Sequence, residues 1–166
     1  MRLYRFGPPT AARRSGTRRF RTVEQEFSGQ GGILAAGRWH TKGEAAVYTS
    51  TSEPLALLEK LVHRSVASSG LIYPLYTADV PDDLIEEIPV SALPRDWRSI
   101  YPPVSTQRLG HEWLLSKSAV GLLVPSVLIS GSEAAVKNCL VNPLHPEFKS
   151  KVQLFDPVEV PLDPRL

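Results

Sequence analysis

The stretch Ala45-Ala-Val-Tyr-Thr-Ser-Thr-Ser-Glu-Pro-Leu-Ala-Leu-Leu-Glu-Lys-Leu-Val-His-Arg-Ser-Val66 reads as a short strand, Ala45 to Ser50, running directly into an amphipathic helix. Ser52 is placed to cap the orphan amides of that helix, and Pro54 falls within its first turn. At about 100° per residue, Leu55, Leu58, Val62 and Val66 fall in one stripe roughly 80° wide, while Lys60 and Arg64 point the other way. Glu59 falls inside the stripe, beside Leu55 and Val62. An ionised carboxylate against a core is strongly unfavourable unless a cation or strong donors meet it, so Glu59 implies a partner or a ligand. A structural salt bridge or a snorkelling edge residue would explain the same pattern.

Working outward, the chain has 166 residues, a length that suits one domain spanning residues 1–166 with a sizeable core. Hydrophobic residues make up 42% and charged residues 22%, as in a folded protein and unlike a disordered one. The formal net charge of +2 is too balanced to identify a nucleic-acid binder. Yet Arg2, Arg5, Arg13, Arg14, Arg18, Arg19 and Arg21 all precede the first acid, Glu24. Such a start can mark a transit peptide or a phosphate-contacting arm. Met1-Arg-Leu-Tyr-Arg-Phe6 alternates like a strand, which favours an arginine-rich surface loop over about residues 8–25 with some arginines facing phosphate. No apolar run is long enough for a spanning helix, so a soluble protein without membrane contact is expected. The one cysteine, Cys139, cannot form an internal disulfide; it reads as a buried, inert thiol on a strand, in keeping with a cytoplasmic location.

Further strands are expected near Leu3 to Phe6, over Leu71 to Val80 with Pro74 marking an edge or a bulge, and near Cys139 to Val141 and Val152 to Phe155. The continuous apolar run Ala119 to Val124 predicts a strand buried on both faces. Ser105 or Thr106 is placed to cap a helix reaching Leu115, with Leu109, Trp113 and Leu114 on its apolar side. Strands outnumber helices without alternating with them, so the fold class is α+β. Gly29-x-Gly31 lacks the third glycine of a dinucleotide fingerprint, because position 34 is Leu34; these glycines serve turns and close approach. His40, His63, His111 and His145 form no metal-ligand pair, and no Gly-x-Ser-x-Gly elbow occurs.

Three polar residues end or interrupt apolar elements: Arg38 in Gly37-Arg-Trp39, Glu59 in the helix, and Ser126 after the buried strand. Together with Leu3-Tyr-Arg-Phe6, Val47-Tyr-Thr-Ser50, Leu55-Ala-Leu-Leu-Glu59, Val62-His63, Ser105-Thr-Gln-Arg-Leu-Gly110, Trp113, Val124-Pro-Ser126, Asn142-Pro-Leu-His-Pro146 and Phe148, they make nearly the whole chain resemble the RES-domain toxins. That family is named for an Arg, a Glu and a Ser, which Arg38, Glu59 and Ser126 match. One departure is His40, where the family commonly has Asn.

The resemblance implies the toxin half of a RES–Xre toxin–antitoxin pair, with an ADP-ribosyltransferase-like mixed sheet and a few flanking helices. It implies cleavage of NAD+ between nicotinamide and ribose, to water, phosphate or a protein side chain, with growth arrest as the result. It maps the active positions onto Arg38, Tyr48, Glu59 and Ser126, and implies an Xre-type antitoxin that covers the active site and supplies any DNA contact. NAD+ would be the substrate, with no further cofactor and no metal. Its diphosphate suits an arginine fork, Arg38 first and Arg5 second. The competing readings are a transferase acting on one host protein, and a non-enzymatic nucleic-acid module using Arg13, Arg14, Arg18 and Arg19.

Overall fold

Alternating apolar residues become strands of one sheet, most of them short, with Leu71–Asp79 and Gln153–Pro161 reaching nine residues each. The computed structural model describes residues 1–11, 20–62, 71–129 and 136–163. Along the chain run β1 (Arg2–Phe6), β2 (Thr10–Ala11), α1 (Val23–Glu26), α2 (Gln30–Leu34), β3 (Val47–Ser50), α3 (Glu53–Val62), β4 (Leu71–Asp79), β5 (Ile85–Glu87), α4 (Val104–Ser116), β6 (Gly121–Val124), β7 (Asn138–Val141), α5 (Phe148–Lys151) and β8 (Gln153–Pro161). The strands form one eight-stranded sheet in the order β2-β4-β1-β3-β7-β6-β5, with β8 paired to β4. Only β5 and β6 run parallel. The protein is therefore α+β, as the sequence predicts.

One face of the sheet packs Leu3, Val47, Tyr76, Ala78, Cys139 and Val141 beneath Val23 and Phe27 of the α1 region and Phe148 of α5. On the other face Leu122, Val124 and Leu140 pack with Trp39 and with Trp113 and Leu114 of α4. β6 lies between the two layers, and every residue from Ala119 to Ser126 is buried. Cys139 is fully enclosed, and burial pushes its thiol up to about 12, so it is inert as expected. β1 meets β4 along its whole length but meets β3 at the pair Tyr4↔Ser50 alone, so the sheet opens along that seam. Next to it, Ala56 and Leu57 of α3 pack with Phe6, Tyr73 and Leu75.

Several expectations are corrected. The inward face of α3 is centred on Leu55 and Ala56, while Leu58 and Val62 are 43% and 58% exposed. Small Ala56 lets the helix lie close on the sheet, which turns the inward stripe toward Ser52, Leu55, Ala56, Glu59 and Lys60. Lys60 is therefore half-buried rather than pointing away. His63, Arg64 and Val66 lie outside the described residues, as do Arg13, Arg14, Arg18 and Arg19. Ser52 does cap α3, with its Oγ accepting from Leu55 N at 3.4 Å. α4 instead begins after Pro103 without a side-chain cap, because the Thr106 hydroxyl donates back to Pro103 O at 2.9 Å. Pro74 is not on an edge, since β4 is flanked by both β1 and β8. It sits where β1 ends and Gly7 N donates to Pro74 O at 2.9 Å; a register shift between Leu75 and Thr77 follows on the β8 side.

α4 rests directly on the carbonyl of Trp39 at Gly110, where any Cβ would penetrate that carbonyl. Gly110→Ala would gain about 1 kcal/mol from helix propensity alone, but overpacking reverses the sign. The variant should lose about 1–3 kcal/mol of stability, read as a lowered midpoint in urea denaturation.

Candidate active site

Alternation along the strands puts Tyr48 and Ser50 of β3, Asn138 and Leu140 of β7, and Leu122 and Val124 of β6 on the α4 face of the sheet. Ser50, Asn138 and Val124 stand in one row across the three strands, and Ser126 follows two residues beyond Val124. Glu59 of α3 reaches this row. Its Oε1 accepts from the Ser126 hydroxyl at 2.8 Å and from the Asn138 amide at 2.5 Å. Behind them, Ser50 Oγ donates to Asn138 Oδ1 at 2.8 Å, and Leu128 N donates to Ser126 Oγ at 3.1 Å. Among the described residues strong donors, and not a salt bridge, meet the carboxylate, and Glu59 acts on Arg38 through space. Among the described residues, Oε2 accepts no hydrogen bond.

Arg38 is held by the loop before α4. Its Nη1 donates to Trp97 O at 2.9 Å and its Nη2 to Ser99 O at 2.8 Å and Ile100 O at 3.3 Å. Burial pushes its pKa down, and the charge of Glu59 pulls it back up. Gln107 of α4 ties the same turn, donating to Gly37 O at 3.0 Å. Tyr48 is half-buried; its hydroxyl lies 3.0 Å from Trp39 N and 2.8 Å from His40 Nδ1. Burial raises the phenol above its ordinary 10.0, so it keeps its proton. Arg38 and Tyr48 thus share one locality with Glu59, whose charge acts on both, and Ser126 touches Glu59 directly.

Arg5 lies on the opposite face. Its Nε donates to Glu26 Oε1 at 2.8 Å and its Nη1 to the backbone carbonyl of Tyr48 at 2.8 Å, bridging the open seam between β1 and β3. Glu26 is 5% exposed and also lies 3.7 Å from Arg21. Arg2 pairs with Asp79 through two hydrogen bonds. The described arginines of the acid-free start are therefore paired with acids of the folded chain.

Sequence reasoning missed Asn138, Ser50 and Glu26, and noted His40 as a departure from the family pattern without its bond to Tyr48. Ser50 and Asn138 carried a signal, each being a polar residue in phase with the inward positions of an apolar strand. Glu26 is announced by a capping box, in which Thr22 Oγ accepts from Gln25 N and the Gln25 side chain returns to Thr22 N.

A family model described as RES domain matches residues 10–163. A protein of Yersinia enterocolitica named Toxin Res is 36% identical over 146 residues, covering 88% of this chain and 93% of that protein. A Toxin Res of Photorhabdus laumondii is 34% identical over 150 residues, covering 89% and 92%. A Sphingobium protein named Prs ADP-ribosylating toxin is 34% identical over 147 residues, covering 82% and 89%.

Two outcomes test this geometry. Glu26→Ala leaves Arg5 without its counter-charge and should cost about 2 kcal/mol in denaturant unfolding, less than the ~3–5 kcal/mol of a fully buried pair because Arg5 is 27% exposed. Glu44 supports the turn ahead of β3: burial raises its carboxyl, but bonds from His111 and Thr41 outweigh this and set it below the ordinary 4.5. A lowered carboxyl stabilises fully above its ordinary value, and the stabilisation disappears as pH falls through the folded value. Thermal midpoints followed from neutral pH downward should show Glu44→Gln less stable at neutral pH and less sensitive to acid.

Proposed function

The chain belongs to the RES-domain family, and on that footing we propose that it is the toxin of a bacterial toxin–antitoxin pair, cleaving the nicotinamide–ribose bond of NAD+ by hydrolysis or phosphorolysis. What carries the reading is Glu59, an inward carboxylate fixed on one oxygen by Ser126 and Asn138 with its other oxygen open, beside the Arg38 cation.

Breaking this N-glycosidic bond passes through an oxocarbenium-like ribose, so negative charge belongs close to the anomeric carbon. Glu59 supplies it, hydrogen-bonding ribose hydroxyls through Oε2 and stabilising the cation; it also orients or deprotonates an incoming water. Nicotinamide leaves neutral and needs no general acid, which agrees with a Tyr48 phenol held protonated. Tyr48 then serves as an aromatic wall for nicotinamide or ribose. Ser126 directs its hydroxyl proton at Glu59, so its first task is to hold the carboxylate. The remaining donors of Arg38 suit the diphosphate. Arg5 is engaged with Glu26 and Tyr48 O, and its contribution to ligand binding would come through the seam it closes.

An enzyme that drains NAD+ poisons its own cell, so a protein inhibitor of the Xre type covering this site belongs to the reading. The printed name of the Sphingobium relative favours a second reading, transfer of ADP-ribose to a protein acceptor.

Purified protein incubated with NAD+, with and without phosphate, separates them. Free turnover releases nicotinamide together with ADP-ribose or its phosphorylated form, whereas a strict transferase releases little without its acceptor. Glu59→Ala should remain folded and lose at least ~10²-fold in nicotinamide release. Undiminished release by that folded variant would sink the role given to Glu59.

A further inference from the structure

His40 is 2% exposed and lies between two partners. Its Nε2 is 3.0 Å from Ala35 O, and its Nδ1 is 2.8 Å from the Tyr48 hydroxyl. A carbonyl oxygen only accepts, so Nε2 carries the ring proton, and in the neutral ring Nδ1 is a bare lone pair. The Tyr48 hydroxyl therefore donates to His40, while Trp39 N donates into the same phenolic oxygen at 3.0 Å. The surroundings are shaped for this arrangement. A Cβ on Gly37 would run into the Tyr48 hydroxyl, and one on Gly32 would lie 3.0 Å from His40 Nε2 and 2.9 Å from Ala46 N.

We propose that His40 is a positioning residue whose Nδ1 lone pair accepts a hydrogen bond from the Tyr48 hydroxyl, fixing the ring and leaving the phenol able only to accept from a ligand. A ligand group that meets this oxygen must then be a donor, such as a carboxamide N–H or a sugar hydroxyl. The assignment of a ligand to Tyr48 rests on the proposed function; the bond itself does not.

Two amide substitutions separate positioning from mere packing. In His40→Asn the amide oxygen can occupy the place of Nδ1 and still accept from Tyr48, at the loss of the bond to the exposed residue Ala35. In His40→Gln the amide nitrogen falls near Nε2, keeping the bond to Ala35 and losing the acceptor for Tyr48. Nicotinamide release from NAD+ should be at least about tenfold higher for His40→Asn than for His40→Gln, the range expected when a group that orients an active-site side chain is removed. Gln equal to or better than Asn would overturn the proposal.

A second measurement is independent of activity. Thermal midpoints of His40→Ala, Tyr48→Phe and the double variant should be non-additive, the double variant losing little more than the worse single one. Additive losses would overturn the bond. If the wild-type protein releases no nicotinamide, the proposed function falls, and the thermal cycle alone decides for or against the role of His40.

Discussion

The two halves of the sheet meet at one residue pair, Tyr4 with Ser50, and the Arg5 guanidinium holds the seam beside it. Backbone pairing that β1 does not supply to Tyr48 is replaced by a charged side chain, which must itself be oriented. Glu26 does this from α1, whose capping box fixes the first turn that presents it. On the other face α3, arriving from β3 and packing beside β1, extends Glu59 to Asn138 of β7 and to Ser126 after β6.

Glu59 is stabilised unevenly. Two donors meet one oxygen, each such charge-assisted bond contributing about 1.5–3 kcal/mol. Both donors are themselves bonded from behind, by Leu128 N and by Ser50, so neither is free to rotate away. Under the proposed function, this arrangement would secure one oxygen by the protein and leave the other for chemistry.

Much of this was legible in the sequence because period-2 and period-3.6 patterns report burial directly. The strand at Leu71 to Asp79, the doubly buried run before Pro125 and the inward placement of Glu59 all follow from it. The rotation of α3 was not legible, since a stripe of Leu and Val was taken to face the core when small Ala56 makes the close contact. Hydrophobicity marks the apolar positions of a helix without saying which of them has room against the sheet. Arg38, Glu59 and Ser126 stand out in the sequence as polar residues that end or interrupt apolar elements, whereas Tyr48 could be named only through a family resemblance. Their support was hidden, because Asn138, Glu26 and His40 act through bonds between residues up to 79 apart in the chain. Such bonds are set by register and crossovers, which no local pattern encodes.

The loop that carries Trp97 to Ile100 surrounds Arg38 with carbonyl oxygens. Carbonyl dipoles solvate a cation without cancelling it, and the Ser126 and Asn138 donors do the same for Glu59 as an anion. The site therefore holds two charges of opposite sign that, among the described residues, form no direct ion pair with each other, a dipole built of side chains. A zwitterionic molecule entering it would feel a torque before touching either wall, its cationic ring turned toward Glu59 and its anionic bridge toward Arg38. Orientation would thus begin in the field of these two side chains, ahead of any hydrogen bond that later secures it.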